Sequence, residues 1–231
     1  MKIKQGMILA AGLGKRMQPI TLKTPKPLIQ IGNKNLLDRA IELLINHGVD
    51  EIAINVHHLA DQIKDFINKN KYKAKITISH EKDTLLDTGG GILNATKSFK
   101  EPFVVVNPDT LWSSAYSNEL RDLEDLYFKQ KKPCLLLVNK NLSHDSSFNG
   151  DFNLKDGIVS KDNNNKFIFT GLQILDQSVF KFIKDKIFSM NDIWNNLIEK
   201  KSLTGTESSQ KFYHLNTKKM HDKILDLNIT D

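Results

Sequence analysis

The sequence predicts an α/β fold in which a doubly wound, mostly parallel sheet carries added antiparallel strands in its C-terminal half. Over residues 1–140, short apolar runs alternate with segments of helical spacing. Alternation at this pitch is typical of a parallel sheet covered by helices on both faces. Beyond residue 140 the runs shorten and are joined by Asn, Asp and Gly turns, which favours antiparallel strands. We expect one domain, 1–231, whose halves are 1–140 and 141–231.

Five apolar runs in the N-terminal half predict buried strands, because a short apolar run that feeds a loop is typical of such a strand. In chain order they are MILAA, EIAINVH, AKITISH, PFVVVNPDT and PCLLLVNK. Between them, apolar residues recur at helical spacing over 36–45, 59–67 and 116–127, and Gly48 stands where a helix C-cap belongs. The segment DTGGGILNATKSF predicts a glycine loop that opens a further helix.

The C-terminal half predicts shorter elements. The stretch FNGDFNLKDGIVSKDNNNKFIFTGLQIL predicts short strands joined by turns. Helical segments are expected around 177–186 and 190–200. The stretch KFYHLN then predicts a last short strand, which a closing helix follows.

The composition argues against nucleic acid and membrane partners. The formal net charge is +6, but only three of the 33 basic residues are arginines, on which specific base readout depends. The lysines stand beside asparagines, so they indicate a solvated surface that attracts anionic small molecules. No run reaches the roughly 18 apolar residues that suggest a membrane-spanning helix. The single cysteine, Cys134, fits a reducing compartment. We therefore expect a cytoplasmic protein with small-molecule partners.

Residues 9–28, LAAGLGKRMQPITLKTPKPL, combine the features of a phosphate-binding loop. The stretch follows the first predicted strand, and loops at the carboxyl ends of parallel strands are where such sheets bind ligands. Gly12 and Gly14 allow a tight turn that brings several N–H groups toward one anion. Arg16 adds a planar, permanently charged group that suits phosphate oxygens.

A lysine between two prolines adds a second positive group to this loop. Pro25 and Pro27 each restrict the residue before them to extended conformations, so we expect Thr24 and Lys26 to be stiff. A stiff backbone lets the Lys26 ammonium be aimed at a ligand at modest entropic cost. The loop is therefore predicted to hold a polyphosphate from two sides.

Two other phosphate-binding patterns fit the loop less well. The dinucleotide fingerprint G-x-G-x-x-G needs a third glycine where Met17 stands, which argues against a nicotinamide-dependent oxidoreductase. The G-K-[ST] motif at P-loop spacing is also missing. Glycines, an arginine and a proline-flanked lysine in one loop form a more restrictive pattern than G-x-G alone.

The loop resembles the signature of the sugar-1-phosphate nucleotidyltransferases, LAAGxGxRMxPLTxxxPKPL, from which it departs mainly by Ile20 in place of leucine. The motifs TGGGI, VVNPDT, NGDFNL and FTGLQIL follow in the order of that family, so the resemblance covers nearly the whole chain. It implies a Rossmann-like sheet of the glycosyltransferase-A type. It also implies an enzyme that joins a nucleoside triphosphate to a sugar 1-phosphate and releases pyrophosphate.

The resemblance assigns residues to each substrate. It gives catalytic roles to Arg16, Lys26 and Asp109. The nucleotide would be bound by Leu9, Ala10, Ala11, Gly12, Gly14, Lys15, Arg16, Thr88, Gly89 and Gly90. The sugar phosphate would be bound by Lys26, Gly150, Asp151, Thr170 and Gly171. His57 and His58, at the end of the second predicted strand, are further candidates for the nucleotide side.

A divalent metal ion is implied at Asp109. Magnesium prefers oxygen ligands and bridges to phosphates, so one or two carboxylates suffice. The family pattern W-x-D-x-G-T supplies a second aspartate, but here FYHLNT puts His214 in its place and Asn216 in place of the glycine. Imidazole suits transition metals better than Mg²⁺. The prediction is therefore Mg²⁺, or Mn²⁺, with Asp109 and His214 as candidate ligands, or Asp109 with phosphates and waters alone.

Within the family, the TGGGI form and the N-G-D-F segment favour UTP and N-acetylmuramate 1-phosphate as substrates, in cell-wall recycling. A mannose- or heptose-1-phosphate guanylyltransferase is the alternative. A non-catalytic sugar-nucleotide-binding relative is a third possibility, since His214 and Asn216 depart from the family pattern.

Overall fold

The structure is a computed structural model that describes residues 2–227. Its strands are β1 (Gln5–Ala10), β2 (Gln30–Ile31), β3 (Lys34–Asn35), β4 (Glu51–Val56), β5 (Lys75–His80), β6 (Phe103–Val106), β7 (Cys134–Asn139), β8 (Asn153–Lys155), β9 (Ile158–Ser160), β10 (Phe167–Leu175) and β11 (Thr204–Ser208). Its α-helices are α1 (Leu36–His47), α2 (Ala60–Lys69), α3 (Asp87–Ala95), α4 (Tyr116–Gln130), α5 (Met190–Glu199) and α6 (Lys218–Asp226).

One nine-stranded sheet runs through both halves of the described chain, in the spatial order β5-β4-β1-β6-β10-β7-β11-β9-β8. The strands β5, β4, β1 and β6 pair in parallel, as expected for strands joined by helices. The long strand β10 pairs antiparallel with both β6 and β7, and β11 then pairs parallel with β7. The short strands β9 and β8 continue the sheet in antiparallel fashion.

Helices cover both faces of this sheet, which confirms the doubly wound prediction. Successive residues of a strand point to opposite faces. In β6, Val104 and Val106 join a buried cluster with apolar residues of α1, α2 and α4. Phe103 and Val105 join the opposite cluster, to which α3 and α5 contribute. The continuous apolar runs seen in the sequence are thus the consequence of burial on both sides.

The helix ends follow the local chemistry of the chain. The side chain of Asn35 accepts a hydrogen bond from Asp38 N at the start of α1, and Gly48 has φ of 106° at its end. This confirms the predicted cap at Gly48. At α5, Ser189 and Asp192 form a capping box. No helix among residues 2–227 is long and apolar enough to cross a membrane.

The predicted glycine loop at DTGGGI is wrong, because its glycines lie inside the first turns of α3. A Cβ on Gly89 would come within 2.3 Å of Phe188 Cε2, and one on Gly90 within 2.3 Å of Lys186 O. The glycines therefore serve a close approach between α3 and the segment before α5. That contact is long-range, so helix propensity alone does not predict it.

Two predictions in the C-terminal half are also wrong. The expected helix over 177–186 is a single 3₁₀ turn, Gln177–Phe180. The stretch KFYHLN forms isolated bridges at Phe212 and His214 in place of a strand. The last strand is β11, whose polar sequence TGTES carried no strand signal. It is held in place by the buried carboxylate of Glu119, which accepts a hydrogen bond from Ser208 Oγ at 2.7 Å.

Candidate active site at the carboxyl edge of the sheet

Two cavities meet at the carboxyl ends of the parallel strands. The first cavity, of about 370 Å³, lies among the loop after β1, Lys26, the start of α3 and residues 107–109. The second cavity, of about 210 Å³, lies among residues 148–152, β10, α5 and residues 212–214. Asn107 and Asp109 line both cavities. A molecule in one cavity can therefore meet a molecule in the other at Asp109.

The loop after β1 is shaped to face an anion. Gly14 has φ of 63°, and a Cβ there would come within 2.7 Å of Thr21 Cγ2, so only glycine fits without strain. Thr21 Oγ1 donates to Gly14 O at 2.8 Å and fixes the turn. No atom lies within 4 Å of a Cβ placed on Gly12. In the described part of the chain, the N–H groups of Gly12 and Gly14 donate to no other protein group, so they are available to a ligand.

The basic residues of this loop face open space. Lys15 and Arg16 are exposed, begin a short 3₁₀ turn and line the first cavity. His58 does not line the cavity, but its Nε2 lies 2.7 Å from Thr21 O. His58 thereby supports Thr21, whose side chain fixes the turn at Gly14. His57 likewise hydrogen-bonds the backbone of Glu81 and has no place in the cavity lining.

Lys26 and His214 both approach one carboxylate oxygen of Asp109. Lys26 Nζ lies 2.6 Å from Asp109 Oδ2, and His214 Nε2 lies 3.1 Å from the same atom. Burial acts to raise the pKa of Asp109, but the Lys26 charge and His214 more than offset it, so this pKa lies well below its ordinary value. The ring of His214 stacks on Phe212 and also contacts Phe148, and these contacts restrict its direction. Asp109 is therefore an ionised group at the junction of the cavities.

The backbone at Lys26 differs from the extended conformation that its proline neighbours predict. Lys26–Leu28 forms a 3₁₀ turn, in which Leu28 N donates to Pro25 O at 2.8 Å and Ile29 N donates to Lys26 O at 3.1 Å. Pro27 is tolerated because the first positions of a helix have no internal partner for their N–H groups. The stiffening of Lys26 thus comes from a hydrogen-bonded turn.

Three buried side-chain oxygens around the first cavity have no hydrogen-bond partner within residues 2–227: Asn107 Oδ1, Asp109 Oδ1 and Asn216 Oδ1. Buried polar atoms of this kind are rare unless water, an ion or a ligand satisfies them. Oxygen donors suit hard cations such as Mg²⁺. No cluster of three His, Cys, Asp or Glu residues occurs in the same range. The residues present therefore fit a cation that is held by few protein oxygens and shared with phosphates.

A polar network behind the first cavity was missed at the sequence level. Asn55 Oδ1 accepts from Ala10 N at 2.8 Å, and Asn55 Nδ2 donates to Glu81 Oε1 at 2.7 Å. Glu81 Oε2 accepts from Leu86 N at 2.8 Å. Both side chains are buried. The network joins the ends of β1, β4 and β5 to the start of α3. The asparagine inside the apolar run EIAINVH was the available signal.

The structure brings most of the predicted nucleotide-side residues together. Those that line the first cavity are Leu9, Ala10, Ala11, Gly12, Gly14, Lys15, Arg16 and Thr88. It does not bring Gly89 and Gly90 there, because both are buried against Phe188, whose carbonyl accepts their N–H groups at 3.0 and 3.1 Å. In the structure both glycines serve the packing of α3 against the segment before α5. The Ala10 N–H is also committed, to Asn55.

Of the residues predicted to bind the sugar phosphate, some line the second cavity and others do not. Asp151, Thr170 and Gly171 line the second cavity, whereas Lys26 lines the first and reaches the junction through Asp109. Gly150 is not in the lining. Its φ of 85° serves a turn, where a Cβ would come within 2.5 Å of Asn165 O.

The wall of the second cavity is set by its neighbours in the fold. Asp151 Oδ2 accepts from Phe169 N at 2.9 Å, and Thr170 Oγ1 donates to Leu136 O at 2.8 Å. Gly171, with φ of 93°, lies at an irregularity in β10 where its carbonyl accepts from Asn107 N. Lys161 and Trp194 line the same cavity. Neither stood out in the sequence, because no motif marks them.

The comparisons with known proteins agree with this geometry. The family model "Nucleotidyl transferase" matches residues 5–144. The chain is 34% identical over 185 residues to an N-acetylmuramate alpha-1-phosphate uridylyltransferase of Neisseria meningitidis, covering 78% of each chain. It is 29% identical over 221 residues to a protein of that name from Caulobacter vibrioides, covering 92% of this chain and 91% of the relative.

Solved structures share the fold at low identity. HddC from Yersinia pseudotuberculosis, complexed with GMP-PN, matches with a TM-score of 0.78 and 22% identity over 97% of this chain and 99% of that one. A UDP-glucose pyrophosphorylase complexed with UDP-glucose matches with a TM-score of 0.80 and 21% identity over 97% and 98%. Because a shared loop signature, a shared sheet and near full-length similarity coincide, the chain belongs to the nucleotidyl transferase family, as an enzyme of the sugar-1-phosphate nucleotidyltransferase type.

Proposed function

We propose that this enzyme transfers the uridylyl group of UTP to N-acetylmuramate 1-phosphate, giving a nucleotide sugar and pyrophosphate. The single observation that carries the reaction type is the junction of the two cavities at Asp109, with Lys26 2.6 Å from its carboxylate. The substrate choice rests on the two relatives that carry this activity in their names and align over most of the chain.

The first cavity binds the triphosphate in this proposal. The N–H groups of Gly12 and Gly14 and the guanidinium of Arg16 hold the β and γ phosphates, since all of them are unpaired donors of residues that line this cavity. Lys26 lies at the α-phosphate and neutralises charge where the two anionic substrates meet. Thr88 contacts the nucleoside from the start of α3.

The transfer is an in-line displacement at the α-phosphorus. A phosphate oxygen of the sugar phosphate forms the new P–O bond while the bond to pyrophosphate breaks. The attacking oxygen is already anionic, so no general base is needed. The protein's contribution is to position two groups that repel each other and to stabilise charge that develops on the leaving group.

Enzymes of this family generally use a divalent metal ion. The unpartnered oxygen of Asp109, with Lys26 and His214 both on the other oxygen, fits such an ion. We propose Mg²⁺, with Mn²⁺ as an effective substitute. When bound, the ion would screen the negative charge of the triphosphate.

The second cavity suits a sugar with an extra negative charge. Lys161 is exposed at this cavity, with its Nζ 5.9 Å from the centre of the Phe152 ring. Trp194 forms a wall whose Nε1 is held by Gln173 Oε1 at 3.0 Å. N-acetylmuramate 1-phosphate carries a carboxylate besides its phosphate, whereas mannose 1-phosphate does not. Lys161 is therefore proposed to bind that carboxylate.

Pyrophosphate release with a matrix of substrates tests the proposal. The purified protein is incubated with UTP, GTP, CTP or dTTP, each with N-acetylmuramate, N-acetylglucosamine, mannose or heptose 1-phosphate. We expect the highest kcat/KM for UTP with N-acetylmuramate 1-phosphate. Faster turnover of GTP with a mannose or heptose phosphate would identify the alternative guanylyltransferase. Binding of UDP-sugars without pyrophosphate release in Mg²⁺ or Mn²⁺ would identify a non-catalytic relative.

A further inference from the structure

The amide of Asn216 is held in one orientation. Its Nδ2 donates to Asp145 Oδ2 at 2.9 Å, and Asp145 Oδ1 in turn accepts from Ser147 N at 3.0 Å. Ser147 Oγ also donates to Asp145 Oδ1, at 2.6 Å, so the Asp145 carboxylate acts as an acceptor at both of its oxygens. An ionised carboxylate can only accept hydrogen bonds. The nitrogen of Asn216 must therefore point at Asp145, and its oxygen must point away.

The oxygen of Asn216 is left without a partner at the edge of the first cavity. The residue is only 8% exposed, and Oδ1 is buried with no partner within the described residues. Leu215 N donates to Asp109 O at 2.7 Å, so the backbone beside Asn216 is tied to Asp109. A carbonyl oxygen needs a donor or a cation. Phosphate oxygens are acceptors and cannot satisfy it.

The carboxylate of Asp109 has one oxygen in the same condition. Its Oδ2 accepts from Lys26 and lies 3.1 Å from His214 Nε2, whereas its Oδ1 is buried and unpartnered. Because His214 Nε2 donates to Asp109 in this arrangement, that nitrogen has no lone pair free for a metal ion, and the other ring nitrogen, Nδ1, is buried without a partner. Three unpartnered oxygens, Asp109 Oδ1, Asn216 Oδ1 and Asn107 Oδ1, belong to residues that line the same cavity. Of these, Asp109 and Asn216 lie on the two segments that the hydrogen bond from Leu215 N to Asp109 O joins.

We propose that Asn216 Oδ1 and Asp109 Oδ1 together hold the divalent cation that accompanies the triphosphate. His214 is then a positioning residue that orients the Asp109 carboxylate, and Asp145 positions the Asn216 amide. The cation contacts one charged and one neutral protein oxygen, with phosphates and waters as its remaining ligands. This inference rests on the proposed function only in assuming that a nucleoside triphosphate occupies the first cavity.

Equilibrium binding of Mn²⁺ tests this assignment without turnover. Free Mn²⁺ is followed by electron paramagnetic resonance as it is titrated into the enzyme saturated with a non-hydrolysable UTP analogue. We expect Asn216→Ala to weaken Mn²⁺ binding by about tenfold or more, comparable with the loss of a partner at other metal sites. Asn216→Asp combined with Asp145→Asn, which keeps an amide–carboxylate hydrogen bond between the two side chains, should bind Mn²⁺ at least as tightly as the wild type. Asn163→Ala, at an exposed asparagine, is the control.

Several outcomes would overturn the proposal. Unchanged Mn²⁺ affinity in a folded Asn216→Ala protein would rule out Asn216 Oδ1 as a ligand of the cation. If that variant fails to fold, the double variant Asn216→Asp with Asp145→Asn decides, because Mn²⁺ affinity well below that of the wild type would contradict the assignment. Electron spin echo signals from a histidine nitrogen bound to Mn²⁺ would make His214 a ligand. Intact, Asn216-dependent Mn²⁺ binding without uridylyl transfer would overturn the substrate assignment alone.

Discussion

Lys26 Nζ lies 2.6 Å from Asp109 Oδ2, although 83 positions separate the two residues in the chain. The contact joins the loop after β1 to the end of β6, and it closes the first cavity at the point where the second begins. His214 approaches the same oxygen from the other cavity. In the proposed reaction an anionic phosphate that enters here competes with the carboxylate for Lys26, while Asp109 Oδ1 stays open to a cation.

Replacing Lys26 should remove most of the activity. We expect Lys26→Ala to lower kcat by roughly 10²–10³-fold, the loss seen when one preorganised donor to a developing charge is deleted. Lys4→Ala is the matched control, because Lys4 is exposed at the opposite end of β1. The measurement is pyrophosphate release at saturating substrates. A normal kcat in Lys26→Ala would rule out the proposed catalytic role of Lys26.

Arg16 should act through its planar group as well as its charge. We expect Arg16→Ala to lower kcat/KM for UTP by about 10²-fold or more, and Arg16→Lys to recover only part of it, because lysine cannot form the bidentate pair. Arg121, exposed on α4, supplies the control variant Arg121→Ala. Equal kinetics for Arg16→Lys and the wild type would show that charge alone is sufficient.

Asp109 should stay ionised at unusually low pH. Its folded pKa lies below its ordinary value of 3.8, so its stabilising contribution is complete above that value and is lost as pH falls through the folded pKa. We expect the carboxyl ¹³C shift of Asp109 to remain that of the ionised form at pH values where exposed aspartates are protonated. In Lys26→Ala that shift should change at higher pH. Titration of wild-type Asp109 near 3.8 would contradict the electrostatic description of the site.

Lys161 should select the acidic sugar. A charge-assisted hydrogen bond contributes about 1.5–3 kcal/mol, so Lys161→Ala should raise KM for N-acetylmuramate 1-phosphate by roughly tenfold. The KM for N-acetylglucosamine 1-phosphate, which lacks the carboxylate, should stay unchanged. Lys155→Ala, at an exposed position of β8, is the control. An equal rise in KM for both sugar phosphates would indicate that Lys161 binds the phosphate group that the two substrates have in common.

The network behind the first cavity should contribute to stability. Asn55→Ala leaves Ala10 N and Glu81 Oε1 buried without this partner. An unsatisfied buried group costs about 1–3 kcal/mol, so we expect the free energy of unfolding to fall by at least that amount. Urea denaturation of Asn55→Ala against Asn163→Ala measures the difference. Surface substitutions usually change the free energy of unfolding by less than about 0.5 kcal/mol. A change that small for Asn55→Ala would mean that Ala10 N and Glu81 Oε1 find other partners in the variant.

The sequence predicted what depends on local pattern. The parallel half, the Gly48 cap and the positions of Lys26 and Asp109 at the site follow from apolar periodicity, turn chemistry and motif spacing. Polar β11 was missed because its burial depends on Glu119, which is distant in the sequence. The α3 glycines were misread because their contact is with Phe188. The sugar-side wall, with Lys161 and Trp194, also arises from tertiary packing that no local signal carries.

A crystal structure with a non-hydrolysable UTP analogue and Mn²⁺ tests the central claim most directly. We expect the triphosphate in the first cavity, with Gly12 and Gly14 N–H groups and Arg16 on its outer phosphates and Lys26 at the α-phosphate. Electron density for Mn²⁺ should lie against Asp109. A triphosphate bound elsewhere, with Arg16 and Lys26 in contact only with water, would contradict the proposed function and the metal site together.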